Sequence, residues 1–219
     1  CVVTGTGLLG LLCIQMLRLS GVRVAAVDLN DSRLKLAKSF GAEITINPKN
    51  ENNIDIIHNW TGGNGADCVL LCAATDSSEP LSQAFQSCKR KGKVVVIGVV
   101  GLNIKRPDMY EKELDVIMST SYGPGRYDAT YEMDGVDYPY AYVRWTENRN
   151  MQEYLRLLSE QKILLHDIIH SVHPIKNIGE AFNLLQSEDS PLIVLLDYGS
   201  VNLEKLEQYV KIDKKIIVN

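Results

Sequence analysis

The chain has 219 residues, 45% of them hydrophobic, and a formal net charge of −4. That length supports one sizeable core, in one domain or at most two. The acidic balance and the lack of a basic stripe exclude a nucleic-acid surface, which needs clustered Lys and Arg to displace counterions, and no apolar run approaches the roughly 20 residues that span a bilayer.

The chain opens in a strand-like run at 1–4 with no secretory signal before it, which reads as a start within a longer protein. A helix follows at 8–20, apolar nearly all round, as a buried helix would be. Strands are predicted at 22–28, 44–46, 67–73 and 92–98, and helices at 31–40, 51–60 and 77–89. The runs Val24–Val27, Val69–Cys72 and Val94–Ile97 are continuously apolar, as in strands covered by helices on both faces. In 77–89, Leu81, Ala84, Phe85 and Cys88 form one apolar stripe, and Lys89-Arg90-Lys91 reads as a solvated helix end beside Gly92.

Strands alternating with helices of this length predict βαβ units. The expected fold class is a doubly wound parallel sheet in three α/β/α layers. After Gly98 the rhythm changes. Residues 114–121 could add one strand, 122–149 read as a long loop or insertion rich in Tyr, Gly, Pro, Asp and Arg, and helical periodicity resumes at 150–160 and 177–187. A last apolar strand falls at 192–196, and the charged segment 199–219 reads as a linker toward a further domain. A dinucleotide-binding unit is therefore expected over 1–198.

The strongest chemical signal is Gly5-Thr6-Gly7-Leu8-Leu9-Gly10, set between a predicted strand and a predicted helix. In that context the pattern is the Rossmann dinucleotide turn. Gly5 permits the tight bend, Gly7 lets the backbone approach a pyrophosphate, and Gly10 lets helix and strand pack closely. The helix amino end, with Leu8 and Leu9, offers free N–H groups to the phosphates. Asp28 ends the second strand 18 residues after Gly10, followed by Leu29. A carboxylate there accepts from adenosine ribose hydroxyls and repels a 2′-phosphate, favouring NAD over NADP, while nearby Arg33 could accommodate that phosphate. Asp28 could instead be a helix N-cap or turn residue. Ala73-Ala74-Thr75 and Gly98-Val99 lie where the ligand should run, or are turn residues without contacts.

Five cysteines is an odd count, and Cys13, Cys68, Cys72 and Cys88 sit in apolar settings. They read as buried reduced thiols of a cytoplasmic protein, not a disulfide frame. His166, His170 and His173 have no cysteine or carboxylate cluster beside them except Asp167, so no metal site is assigned. No nucleophile elbow or P-loop lysine occurs.

The runs Val3–Gly10, Val27-Asp28, Arg33–Ala42, Thr61–Asp67, Gly92–Gly98 and Ile178–Phe182 resemble, in order and spacing, the cofactor domain of medium-chain, zinc-type alcohol dehydrogenases. More narrowly, Tyr122–Asp128 and Tyr142–Glu147 resemble bacterial bi-domain oxidoreductases associated with cell-surface polysaccharide genes. In those proteins a dehydrogenase unit precedes a glucose–fructose oxidoreductase-like domain.

The resemblance implies NAD binding and hydride transfer to or from an alcohol or carbonyl carbon. The substrate it points to is a sugar or sugar-nucleotide held by Arg126, Arg144 and the tyrosines of the insertion, unless the insertion only packs against neighbouring domains. It places any catalytic zinc and the proton relay mostly in a domain this chain lacks. It therefore leaves the catalytic residues unknown, and this piece alone is expected to be inactive. A homodimer through edge strand 114–121 is also expected. The rival readings are a dinucleotide-sensing or scaffold module without turnover, and a structural remnant that binds no cofactor.

Overall fold

The computed structural model describes residues 1–187 and 190–199. The expected linker over 199–219 lies, Gly199 apart, outside the described residues. The chain forms two compact units, residues 1–167 and those from Ile168 onward.

In the first unit strands and helices alternate through β1 (Val2–Thr4), α1 (Leu8–Leu19), β2 (Ala25–Val27), α2 (Asp31–Ser39), β3 (Ile44–Ile46) and α3 (Asn53–Trp60). The alternation continues through β4 (Ala66–Leu71), α4 (Glu79–Ser87), β5 (Cys88–Val96), α5 (Arg106–Tyr110) and β6 (Asp115–Met118). All six strands are parallel, in the order β3-β2-β1-β4-β5-β6. Right-handed crossovers that run one way from β1 and the other way from β4 put helices on opposite faces. Consistent with this, α1 touches α2, and α4 touches both α3 and α5. The expected three-layer, doubly wound fold is the fold observed.

The central strands are buried on both faces. Successive residues Val2 and Val3, and likewise Ala25, Ala26 and Val27, are at most 1% exposed. Side chains of a strand point alternately to either side, so such a run needs cover above and below. Helix starts follow local chemistry. The Asn30 side chain accepts from the N–H groups of Ser32 and Arg33, and Asn52 does the same for Ile54 and Asp55, starting α2 and α3.

One boundary corrects the sequence reading. The helix over 77–89 ends at Ser87, and Lys89-Arg90-Lys91 lies in β5, not at a helix end. The ladder explains it. Cys88 pairs with Ala66 and Lys93 with Cys68, so a long stretch of β5 bulges opposite a short one of β4. Lys91 takes a φ of 60° there, and its N–H donates to the Lys112 carbonyl at 2.8 Å.

Residues 122–149 are a folded insertion. Asp128 caps a short helix, α6 (Ala129–Glu132), and accepts from the Tyr138 hydroxyl. Tyr131 stacks on Tyr138 with ring centres 5.5 Å apart and donates to Thr146 Oγ1 at 3.0 Å. The insertion leads into α7 (Glu147–Ser159), which starts ahead of the predicted 150. On the buried face of α1, Gln15 is paired with the backbone of Leu164. Its Nε2 donates to the carbonyl at 3.1 Å, and its Oε1 accepts from the N–H at 2.8 Å.

In the second unit, β7 (Ile169–Pro174) leads through a 3₁₀ turn (Ile175–Asn177) into α8 (Ile178–Leu185) and then β8 (Ile193–Asp197). The strands β7 and β8 pair in parallel as a two-stranded sheet, so the last apolar strand does not join the six-stranded one.

Candidate functional site: a cleft at the carboxyl ends of the strands

The ladders pair Thr4 with both Val27 and Leu71, and Leu71 with Val96, so β1, β2, β4 and β5 end level. Chain order reverses between β1 and β4. The loops part there, as at the ligand-binding switch point of doubly wound sheets. A cleft of about 900 Å³ opens at this place, walled by the glycine loop, the β2–α2 loop, the turn after β4 and the start of α4.

The three glycines have different reasons to be there. Gly5 has a φ of +89°, and a Cβ on it would stand 2.5 Å from the Ala73 nitrogen. A Cβ on Gly10 would stand 2.0 Å from the Gly5 carbonyl oxygen, so α1 sits directly on the loop. A Cβ on Gly7 would meet nothing within 4 Å. Gly7 is also the N-cap of α1 and offers no side-chain cap, and the first turn has no acidic residue. The first-turn N–H groups lack helical partners and carry the positive end of the helix dipole, so they suit a diphosphate.

Asp28 is fixed from two sides. Its Oδ2 accepts from the Thr6 backbone N–H at 2.6 Å and from Thr6 Oγ1 at 3.0 Å, while Oδ1 accepts from the Asn30 N–H at 2.9 Å. A carboxylate has about four acceptor positions, which leaves one on Oδ1 for a ligand hydroxyl. The N-cap of the following helix is Asn30, not Asp28. Buried Asn47, just after β3, steadies the same loop, donating to the Leu29 carbonyl at 3.4 Å and to Asp31 Oδ1 at 2.7 Å.

Of the residues singled out from sequence, Gly5, Gly7, Asp28, Leu29, Arg33, Ala73, Ala74 and Thr75 line the cleft together. The others do not line it. Thr6 is buried behind the loop, Gly10 lies beneath it, Leu8 is half-buried and Leu9 is exposed on α1. Gly98 is needed for close packing, because a Cβ there would stand 2.1 Å from the Ala73 carbonyl oxygen. Val99 is exposed, and its carbonyl accepts from the Thr75 N–H at 2.8 Å.

The wall also includes Pro48 and Lys49 after β3, and Glu79 and Gln83 on α4, none of which was anticipated. They belong to no motif. Only the rule that ligands sit beyond strand carboxyl ends would have pointed to 48 and 49.

Among the described residues, no three His, Cys, Asp or Glu side chains gather as a metal site. His166 Nε2 faces Asp167 Oδ1 at 3.0 Å, and His173 Nε2 shares a hydrogen bond with Ser171 Oγ at 2.9 Å. These donors do not fit a zinc ion.

A family model described as zinc-binding dehydrogenase matches residues 9–134, more than half of the chain. The chain belongs to that family. Among its relatives is an L-threonine 3-dehydrogenase from Symbiobacterium thermophilum, 25% identical over 89% of this chain and 50% of the relative. An alcohol dehydrogenase from Geobacillus stearothermophilus is 35% identical over 48% of this chain and 30% of its own. An erythritol/L-threitol dehydrogenase from Mycolicibacterium smegmatis is 34% identical over 60% of this chain and 37% of its own.

Solved structures agree on the fold. A galactitol-1-phosphate dehydrogenase from Escherichia coli superposes with a TM-score of 0.71 at 21% identity, covering 89% of this chain and 52% of that one. An alcohol dehydrogenase from Thermus sp. ATN1 gives 0.68 at 22%, covering 89% and 49%. The chain thus spans about half the length of these relatives that match it nearly end to end. It corresponds to the Rossmann-type, dinucleotide-binding part of a medium-chain, zinc-type dehydrogenase. No helix among the described residues is long and apolar enough to cross a membrane.

Proposed function

We propose that this chain binds NAD(H) in an extended pose across the β1/β4 switch point, as the cofactor half of an oxidoreductase acting on an alcohol or carbonyl carbon. One observation carries the reading. The open amino end of α1 at Gly7 and the held carboxylate of Asp28 line the same cleft.

Bound there, the nicotinamide would exchange a hydride with the substrate carbon. The chain's own residues bind and orient. The first turn of α1 holds the diphosphate, Asp28 Oδ1 accepts from a ribose hydroxyl, and Ala73-Ala74-Thr75 give the ligand a close backbone floor, with the nicotinamide toward Gly98 and Val99. Arg33 shares the cleft with Asp28, but the carboxylate disfavours a 2′-phosphate, so NAD is preferred to NADP. Calorimetric titration with NADH and NADPH tests this. Tighter NADH binding, with that preference reduced about tenfold in Asp28→Ala, is expected, a change of about 1.4 kcal/mol. Equal binding of both dinucleotides, or a preference unmoved by the mutation, would refute it.

The reading extends to a sugar, polyol or sugar-nucleotide substrate, in a cytoplasmic bi-domain enzyme serving surface polysaccharide synthesis. Support comes from the sequence resemblance, from the unpaired cysteines, and from a relative whose name is erythritol/L-threitol dehydrogenase. In the insertion, the Arg144 guanidinium lies 5.0 Å from the Tyr140 ring centre and 4.1 Å from that of Trp145. Arg126 lies 4.4 Å from the Tyr127 ring centre and pairs with Glu132. Alanine at Arg126 and Arg144 in the full-length protein should raise KM for such a substrate, and an unchanged KM would discard their role.

A homodimer through β6 completes the reading. That strand lies at the sheet edge with Ile117 and Met118 exposed, and an unpaired edge invites a partner strand. Sedimentation should show a dimer that Ile117→Asp dissociates.

A further inference from the structure

We propose that Thr6, buried behind the glycine loop, is a positioning residue that sets the dinucleotide preference by holding the Asp28 carboxylate through its hydroxyl; this rests on the cofactor reading above.

Thr6 stands between Gly5 and Gly7, where the dinucleotide turn leaves the residue type open. It is wholly buried, at 0% exposure. A buried hydroxyl costs free energy unless it is hydrogen-bonded, so packing alone would favour an apolar side chain there. Among the described residues the side-chain partner of Thr6 is Asp28. Thr6 Oγ1 donates to Asp28 Oδ2 at 3.0 Å, beside the Thr6 backbone N–H at 2.6 Å.

These bonds prolong the β1–β2 contact past its last rung. The Gly5 N–H donates to the Val27 carbonyl at 2.8 Å, and on the other side the Asp28 N–H donates to the Ile46 carbonyl at 3.2 Å. The backbone at the end of β2 is thus tied on both sides. The side chain needs its own restraint, because the terminal torsion of an aspartate is broad and lacks sharp rotamer wells. Its partners supply that restraint. Thr6 fills Oδ2 with two donors, and the Asn30 N–H holds Oδ1 at 2.9 Å. The acceptor position left on Oδ1 therefore keeps a fixed direction.

Without the hydroxyl, Oδ2 keeps only the backbone N–H, and the carboxylate gains freedom to turn. A ribose hydroxyl then loses a fixed acceptor. A 2′-phosphate meets a negative charge that can rotate away, while Arg33 still lines the same cleft. Thr6 lies behind the loop and acts through Asp28, so its effect falls on the choice between dinucleotides.

The test is calorimetric titration of NADH and NADPH into wild type, Thr6→Val, Thr6→Ser, Asp28→Ala and the Thr6→Val/Asp28→Ala double variant, with folding checked by circular dichroism. Thr6→Val keeps the branched shape and the backbone N–H and removes the hydroxyl. Its preference for NADH over NADPH should fall at least about fivefold, the scale of one hydrogen bond to a charged group reduced by the N–H that remains. Thr6→Ser, which keeps the hydroxyl, should restore the preference. In the Asp28→Ala background Thr6→Val should move it no further. A loop that had merely loosened would weaken both dinucleotides alike, since both carry the diphosphate, and leave their ratio unmoved. An unchanged ratio in folded Thr6→Val, a loss that serine does not restore, or an undiminished effect without Asp28 would overturn the proposal. Should the valine chain not fold, Thr6→Ala takes its place with the same outcomes. A wild-type chain without preference, or a preference that survives Asp28→Ala, would instead overturn the reading of Asp28 itself, and the proposal with it.

Discussion

Gly7→Ala adds one methyl group at the amino end of α1, where a Cβ has no atom within 4 Å and the backbone φ of −69° suits any residue. Two small effects on stability oppose each other. Alanine is a poorer N-cap than glycine by about 0.5 kcal/mol, and it has less backbone entropy to lose on folding, worth about 0.4–1 kcal/mol. Urea unfolding should therefore shift by no more than about 0.5 kcal/mol either way.

Binding should respond very differently. The methyl occupies the space through which a diphosphate reaches the first-turn N–H groups. A hydrogen bond to a charged group contributes about 1.5–3 kcal/mol, so losing one such bond weakens NADH at least tenfold. Gly10→Ala is the counterpart. Its Cβ would lie 2.0 Å from the Gly5 carbonyl oxygen, and relieving that overlap should destabilise the fold by about 1–3 kcal/mol. Calorimetry with NADH and urea unfolding followed by circular dichroism read the two effects separately. Undiminished NADH affinity in a folded Gly7→Ala chain would refute the assignment of this helix end to the diphosphate.

Phe85→Ala should cost about 3–5 kcal/mol in urea unfolding, because Phe85 is 1% exposed within the core cluster and leaves a cavity. Gln15→Leu keeps the volume but leaves the N–H and carbonyl of Leu164 unpaired, and should lose about 1–3 kcal/mol. Hydrogen exchange at the Leu164 amide would register the loss of that bond. Burial pushes the Cys88 thiol up to about 12. As pH rises, the unfolded chain therefore releases this proton first. The contribution is complete below a cysteine's ordinary pKa and is lost as pH climbs toward about 12. Cys88→Ala should flatten the decline in stability over that window, and an unchanged slope would reject the assignment.

Much of this protein is legible from local pattern. The continuous apolar runs Val24–Val27 and Val94–Ile97 call for strands covered on both faces, and their alternation with helices dictates a doubly wound parallel sheet. Asp28 after the second strand and the spacing of Gly5, Gly7 and Gly10 mark the place of the proposed dinucleotide site, because that turn admits few other residues.

What only the tertiary structure decided depends on which segments become neighbours. Gly10 and Gly98 serve packing against Gly5 and Ala73, whereas Gly7 is open to the cleft. The basic run at 89–91 joins β5 because Cys88 pairs with Ala66 on β4. Gln15, an unremarkable polar residue in an apolar helix, finds its partner in the backbone at Leu164. Lys49 and Gln83 reach the cleft by crossovers between elements far apart in the chain. Periodicity reports how a residue relates to neighbours within one element. The contacts that complete the cleft lie between elements, and they exist only once the sheet has brought its strand ends level.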